Sequence, residues 1–241
     1  MLKRLSTQIF RRSYAESVSP VARRFVVKPK QKPRKWIPFT IFGGSFFLGW
    51  LLTEHMTFTD LMAYWRYDTL PQGSKEVKDY QLDLFNRSEN LPVVRQLQQA
   101  GFREVFPNRR EDDLLIDKTL STPGAIAVPP RFYYNPVTKE SVGIYHLGMK
   151  LTGYPFIVHG GMLATVMEDF MRECVRFVKG KEGEKTKDLS ISYKLPTLAN
   201  QFVIVRTTKI DEFGKSVKLK VDVMDQSGNR KLVSGSGVFK S

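Results

Sequence analysis

A change of period in the apolar residues constrains this chain more than any other feature. From Gly161 onward, Leu163, Val166, Met167, Phe170, Met171, Cys174, Val175 and Val178 recur at spacings of three and four, as in a helix with one buried face. From Leu189 the period becomes two. Leu189, Ile191, Tyr193 and Leu195 alternate with Ser190, Ser192 and Lys194, as in a strand with one wet face. Phe202 to Ile210 is a second apolar run. Val217, Leu219, Val221 and Val223 alternate with Lys218, Lys220 and Asp222, and Leu232 to Phe239 closes the chain. Asp211-Glu212-Phe213-Gly214 and Gln226-Ser227-Gly228-Asn229 have the composition of hairpin turns between these strands. Ahead of the helix, Arg131 to Tyr134 and Val142 to Leu147 add two strand candidates around Asn135-Pro136. Strands, one long helix and then an antiparallel meander predict an α+β fold in which one sheet wraps one helix.

The entrance of that helix carries the chemistry. Gly153-Tyr154-Pro155 precedes His159-Gly160-Gly161, and a carboxylate, Glu168, follows about two turns further in. Paired glycines leave backbone N–H groups at the helix N-terminus unshielded, where the dipole favours developing negative charge. A carbonyl oxygen held there is stabilised as it becomes an oxyanion, and Glu168 supplies a base or a nucleophile. From Gly160 to Glu168 is roughly 12 Å along a helix. That is too far for one carbonyl, so a partner's Glu168 in an antiparallel neighbour is expected, in a homodimer or a dimer of dimers.

At these residues the chain resembles the hotdog-fold acyl-CoA thioesterases, in particular the subgroup with a His-Gly-Gly motif before the central helix. The resemblance runs from Ser121 to Ser241. His146-Leu147-Gly148 and Gly153-Tyr154-Pro155 precede His159-Gly160-Gly161 as in that family, and Thr186-Lys187-Asp188-Leu189-Ser190-Ile191-Ser192-Tyr193-Lys194-Leu195-Pro196 matches its Thr-x-x-Leu-x-Ile-x-Tyr-x-x-Pro strand. It implies a hotdog fold, an acyl-CoA substrate and no metal or cofactor. It also implies catalytic roles for Gly160, Gly161, Glu168 and Thr186, the last aligned with a threonine that places the attacking water. His159 and Asp169 are implied beside the substrate, His159 chiefly as the residue that fixes the turn. The subgroup has Asp followed by Glu where this chain has Glu168 followed by Asp169. That exchange supports a second reading, a catalytically weak hotdog dimer that binds acyl-CoA or a protein partner at the inner membrane.

Charge is informative only once divided. The formal net charge is +14, yet residues 1–35 hold eleven Lys and Arg against the single acid Glu16. The remainder carries 27 basic and 23 acidic residues, which gives little support to nucleic-acid binding. Residues 1–14, with Leu2, Leu5 and Ile9 at helical spacing and no acid, read as a mitochondrial presequence, followed by a basic segment, 15–35. Residues 36–53 contain no charged side chain and carry Trp36 and Trp50 near opposite ends, so a single transmembrane helix is expected there. The basic flank before it, and Glu54, His55 and Asp60 after it, favour the inner membrane with the C-terminal domain in the intermembrane space. Residues 54–120 form a helical linker or extension, with helices at Ser74 to Asn86 and Leu91 to Ala100, and residues 121–241 form the hotdog domain. Cys174, the only cysteine, lies on the apolar helix face and reads as packing. The three histidines, His55, His146 and His159, are too scattered for a metal site.

Overall fold

Trp36–His55 forms one uninterrupted helix, α1, the first element of the computed structural model. The structure describes residues 36–55, 57–71, 73–106, 115–180 and 185–240, with the backbone alone at Leu48 and 51–55. The expected presequence and basic segment lie outside the described residues. The chain divides into two units, residues 1–45 and 46–241, and α1 runs through their boundary. The helix expected at 36–53 forms, but the expected span is not borne out: among the described residues no helix is long and apolar enough to cross a membrane.

The second unit is built on a seven-stranded antiparallel sheet. Its strands are β1 (Arg103–Val105), β2 (Arg131–Asn135), β3 (Glu140–Leu147), β6 (Lys185–Tyr193), β7 (Gln201–Phe213), β8 (Ser216–Met224) and β9 (Lys231–Lys240), in the spatial order β1-β2-β3-β7-β8-β9-β6. Two short strands, β4 (Thr152–Tyr154) and β5 (Ile157–Val158), pair with each other beside it. The long helix α5 (Gly160–Lys179) lies in the concave face. Phe170, Met167, Met171, Cys174 and Val175 on α5 are buried with Val203, Val205, Val217, Leu219 and Val221. Two sheet glycines make the close approach possible: a Cβ at Gly143 would sit 2.7 Å from the Phe170 ring, and one at Gly235 would sit 2.5 Å from Met167 Cε. The helix ends on Gly180 in the left-handed region, φ 61°, a conformation glycine adopts without strain.

The outer face is divided. Over β2, β3 and β7 it is covered by α2 (Phe58–Trp65), α3 (Lys75–Glu89) and α4 (Pro92–Gln99). Tyr80, Leu84, Val94 and Leu97 pack there on Tyr133, Val142, Ile144, Phe202 and Ile204. Over β8, Lys218 and Lys220 face water. This division explains the two sequence patterns. Phe202 to Val205 is buried without interruption because both faces are covered, whereas Val217 to Val221 of β8 alternate because one face is wet, and Asp222 beyond them is buried.

Three details differ from the sequence reading. The β7–β8 hairpin turns on Gly214-Lys215 alone, with Phe213 already paired to Ser216, so Asp211, Glu212 and Phe213 belong to the strand. Asp60 is not a solvated flank charge but is 1% exposed. It accepts hydrogen bonds from the Thr57 N–H and hydroxyl, the Tyr80 hydroxyl and Arg87. Burial by itself would raise its pKa, but the Thr57 bonds, Arg87 and Asn200 outweigh that and hold it below the ordinary carboxylate value. Finally, Tyr193 and Leu195 are about half exposed, because β6 is an edge strand and shields less than an interior strand does.

Candidate active site

Backbone and ring geometry together build the α5 entrance. His159 is the N-cap residue, and its Nδ1 accepts a hydrogen bond from the Gly161 N–H at 3.0 Å, so the imidazole fills the role more often taken by a short polar side chain. Its ring occupies a slot between two glycines. A Cβ at Gly153 would meet His159 Cδ2 at 2.7 Å, and one at Gly161 would meet Nδ1 at 3.0 Å. The His159 N–H donates to the Leu151 carbonyl. The loop is thus fixed before the helix begins.

The peptide joining Gly160 to Gly161 is held at both ends. Its N–H meets His159, and the Gly160 carbonyl accepts from the Tyr193 hydroxyl at 2.8 Å. Tyr193 also stands over Gly160, where a Cβ would approach its ring at 3.2 Å. The Met162 and Leu163 N–H groups donate to the His159 carbonyl. The Gly160 N–H therefore remains the donor at this entrance without an acceptor among the described residues. A cleft of about 320 Å³ opens beside it, lined by Ile157, Val158, Gly160, Leu163, Tyr193 and Leu195 among others.

The two neighbouring carboxylates on α5 face different ways. Glu168 Oε1 accepts a hydrogen bond from Thr186 Oγ1, on β6, at 2.6 Å. Asp169 Oδ2 accepts one from the Tyr145 hydroxyl, on β3, at 2.7 Å. Both are partly buried. The structure thus brings Glu168 and Thr186 together, gathers His159, Gly160 and Gly161 at the helix entrance, and turns Asp169 toward the opposite side of the helix. Within one chain the glycines and Glu168 stay about two helical turns apart. Cys174 is fully buried and burial pushes its thiol pKa up, which suits packing and opposes nucleophilic use. No group of His, Cys, Asp and Glu among the described residues has the arrangement of a metal site.

Two contributors escaped the sequence reading. Tyr193 figures there as an alternating residue and within the matched strand motif, with no role for its hydroxyl at the glycine entrance. Gly153 figures there only within Gly153-Tyr154-Pro155, and its steric role emerges only with the His159 ring in place.

Sheet order and the long helix enclosed by the sheet define a hotdog fold among the described residues. The mitochondrial membrane protein FMP10 of Saccharomyces cerevisiae is 56% identical over 236 residues, covering 97% of this chain and 96% of that protein, and the chain belongs to its family. The acyl-coenzyme A thioesterase THEM4 of Mus musculus is 34% identical over 76 residues, 31% of each chain. Among solved structures, zebra fish thioesterase superfamily member 2 aligns with a TM-score of 0.39 at 14% identity, over 42% of this chain and 73% of that one. No protein-family model matches.

Proposed function

We propose that this protein is an acyl-CoA thioester hydrolase that works as a homodimer at a mitochondrial membrane. The observation that carries the reading is the Thr186–Glu168 hydrogen bond on the β6 side of α5, in a fold whose α5 entrance offers the Gly160 N–H beside an apolar cleft. The nine-residue β6 is the sheet's outer edge. An unpaired edge of that length is a template for a second chain, and pairing two copies about a twofold axis would run their α5 helices side by side. One subunit's Gly160 N–H then holds the thioester oxygen while Glu168 of the partner subunit faces the carbonyl carbon.

Thr186 donates to one oxygen of Glu168, leaving the other to accept a proton from water. The water oxygen attacks the carbonyl carbon, and the negative charge that forms on the carbonyl oxygen is met by the Gly160 N–H and the helix dipole. As the carbon–sulfur bond breaks, the proton passes from Glu168 to the departing thiolate. The products are the free acid and CoA. Tyr193 and His159 fix the peptide on which this donor sits. Mitochondrial placement is supported by the description of the yeast relative and by the basic leader. Attachment through residues 36–53, with the domain facing the intermembrane space, is the arrangement that the basic run before α1 supports.

The test is hydrolysis of acyl-CoAs of graded chain length by the full-length chain in vesicles. Glu168→Gln is expected to lower the rate at least about 100-fold with the dimer intact. Mixing it with Gly160→Val, which crowds Tyr193 and the donor, should restore roughly a quarter of wild-type activity through the one intact site of each mixed dimer. No hydrolysis of any acyl-CoA overturns the activity, and no recovery on mixing, with subunit exchange shown, overturns the shared site.

A further inference from the structure

The short helix α2 is inverted for a surface element. Asp60 and Ala63 face inward, 1% and 2% exposed, while Phe58 and Trp65 are 73% and 76% exposed and Leu61 is 45% exposed. At 3.6 residues per turn, Phe58, Leu61 and Trp65 fall within about 60° of one another, on the side opposite Asp60 and Ala63. Two large aromatics and a leucine thus form one outward stripe, bordered by Tyr64 and followed by the exposed Arg66. The stripe has no route inward. The inward face is fixed by the Thr57 capping box and by the bonds from Tyr80 and Arg87 to Asp60, and any rotation that buried Trp65 would expose that carboxylate's network.

We infer that this stripe lies in the interfacial layer of the same membrane, so that α2 is a second contact with the phospholipid headgroup and upper acyl region. The inference rests on the proposed membrane attachment of residues 36–53 and goes beyond it. Its occupant is set by continuity along the chain. α1 ends at His55 and α2 begins at Phe58, and three residues span at most roughly 11 Å. If residues 36–53 are held in lipid, the stripe is within reach of the headgroups. Its composition suits that layer: tryptophan, tyrosine and phenylalanine on the outward side, with an arginine at the end to meet phosphate. Because α2 is pinned to α3 and thence to the sheet, the contact would fix the orientation of the hotdog domain relative to the bilayer.

Trp65 is its own reporter. In the full-length chain carrying Trp36→Phe and Trp50→Phe, both at exposed positions, Trp65 is the remaining tryptophan. In phosphatidylcholine vesicles with brominated acyl chains, its emission is expected to fall roughly twofold or more when bromine is near the headgroup end, and less when bromine is near the chain terminus. Adding Phe58→Ser and Leu61→Ser, which touches only exposed positions, should reverse most of that quenching. Emission quenched by aqueous iodide and indifferent to bromine, in a chain that still floats with vesicles, overturns the inference and leaves the attachment standing. Shielding from both quenchers would mean a second protein copy covers the stripe and likewise overturns it. A chain that fails to float removes the attachment and this inference together, while acyl-CoA hydrolysis, read separately, decides the activity.

Discussion

Two halves of one sheet solve the same packing problem by different means. Beneath the concave face, α5 is held by shape. Phe170 stacks on Phe132 at 6.4 Å, methionines fill the space above sheet glycines, and the cluster is apolar apart from the Tyr145 hydroxyl, which is bonded to Asp169. On the convex face the extension is held partly by apolar contact and partly by a buried polar network centred on Asp60, with Arg131 spanning Glu104, Phe85 and Tyr133 at the other end. An apolar contact tolerates sliding, whereas a carboxylate served by four donors has one arrangement that satisfies it. The comparison teaches that the inner layer supplies most of the stability, and the outer layer fixes where the extension sits.

The contrast breaks most visibly at Phe170. Phe170→Ala is expected to lower global stability by about 3–5 kcal/mol through lost burial and a cavity, seen as one cooperative shift in the denaturant midpoint. Asp60→Ala should cost less, about 2–3 kcal/mol, because Arg87 is partly solvated and keeps an alternative partner in Asp83. Its effect should be local. Limited proteolysis would cut within residues 57–100 while the sheet amides keep their exchange protection, and equal loss of protection throughout would deny the outer layer its separate character.

His146 sharpens the comparison through pH. It lies on the outward row of β3, fully buried against Phe202 at 5.2 Å, with neither ring nitrogen partnered among the described residues. Burial lowers its pKa from 6.5 to about 4, with Asp60 opposing and Arg87 assisting. The unfolded chain therefore binds more protons below pH 6.5. Stability should be flat above that pH and fall by roughly 1 kcal/mol per unit between 6.5 and 4, a window above that of Asp60. His146→Leu should flatten that slope in pH-dependent denaturation, and wild-type and variant curves that run parallel would refute the assignment. The smallest effect belongs to the wet part of the convex face, where Lys220→Thr should stay within about 0.5 kcal/mol of wild type.

The sequence made the inner layer legible and left the outer one obscure, for a physical reason. Helix α5 and strands β7 to β9 announce themselves because periodicity is local and each residue's face follows from its neighbours' spacing. The apolar run that begins at Phe202 marked β7 as a strand. What covers it was not readable. Asp60 meets Tyr80 and Arg87, 20 and 27 residues away, and a charge before burial looks like any surface charge. The three-residue β1 is likewise too short to carry a period. At the site, the glycine entrance and its carboxylate were visible as a motif. The direction in which Glu168 and Asp169 part was not, since adjacent helix residues differ by about 100° and only the sheet says which side is which.

The slot that holds the His159 ring has a consequence for how this protein can change over time. Positions 153, 159 and 161 form one steric unit, in which a side chain at 153 collides with the ring and one at 161 is crowded by it. Replacing the histidine first eases both places, whereas placing a larger residue at 153 first collides with the ring. The order of substitutions therefore decides which sequences are reachable. A lineage that keeps the histidine is held to glycine at 153 and biased toward it at 161, and one that loses it has no steric reason to return.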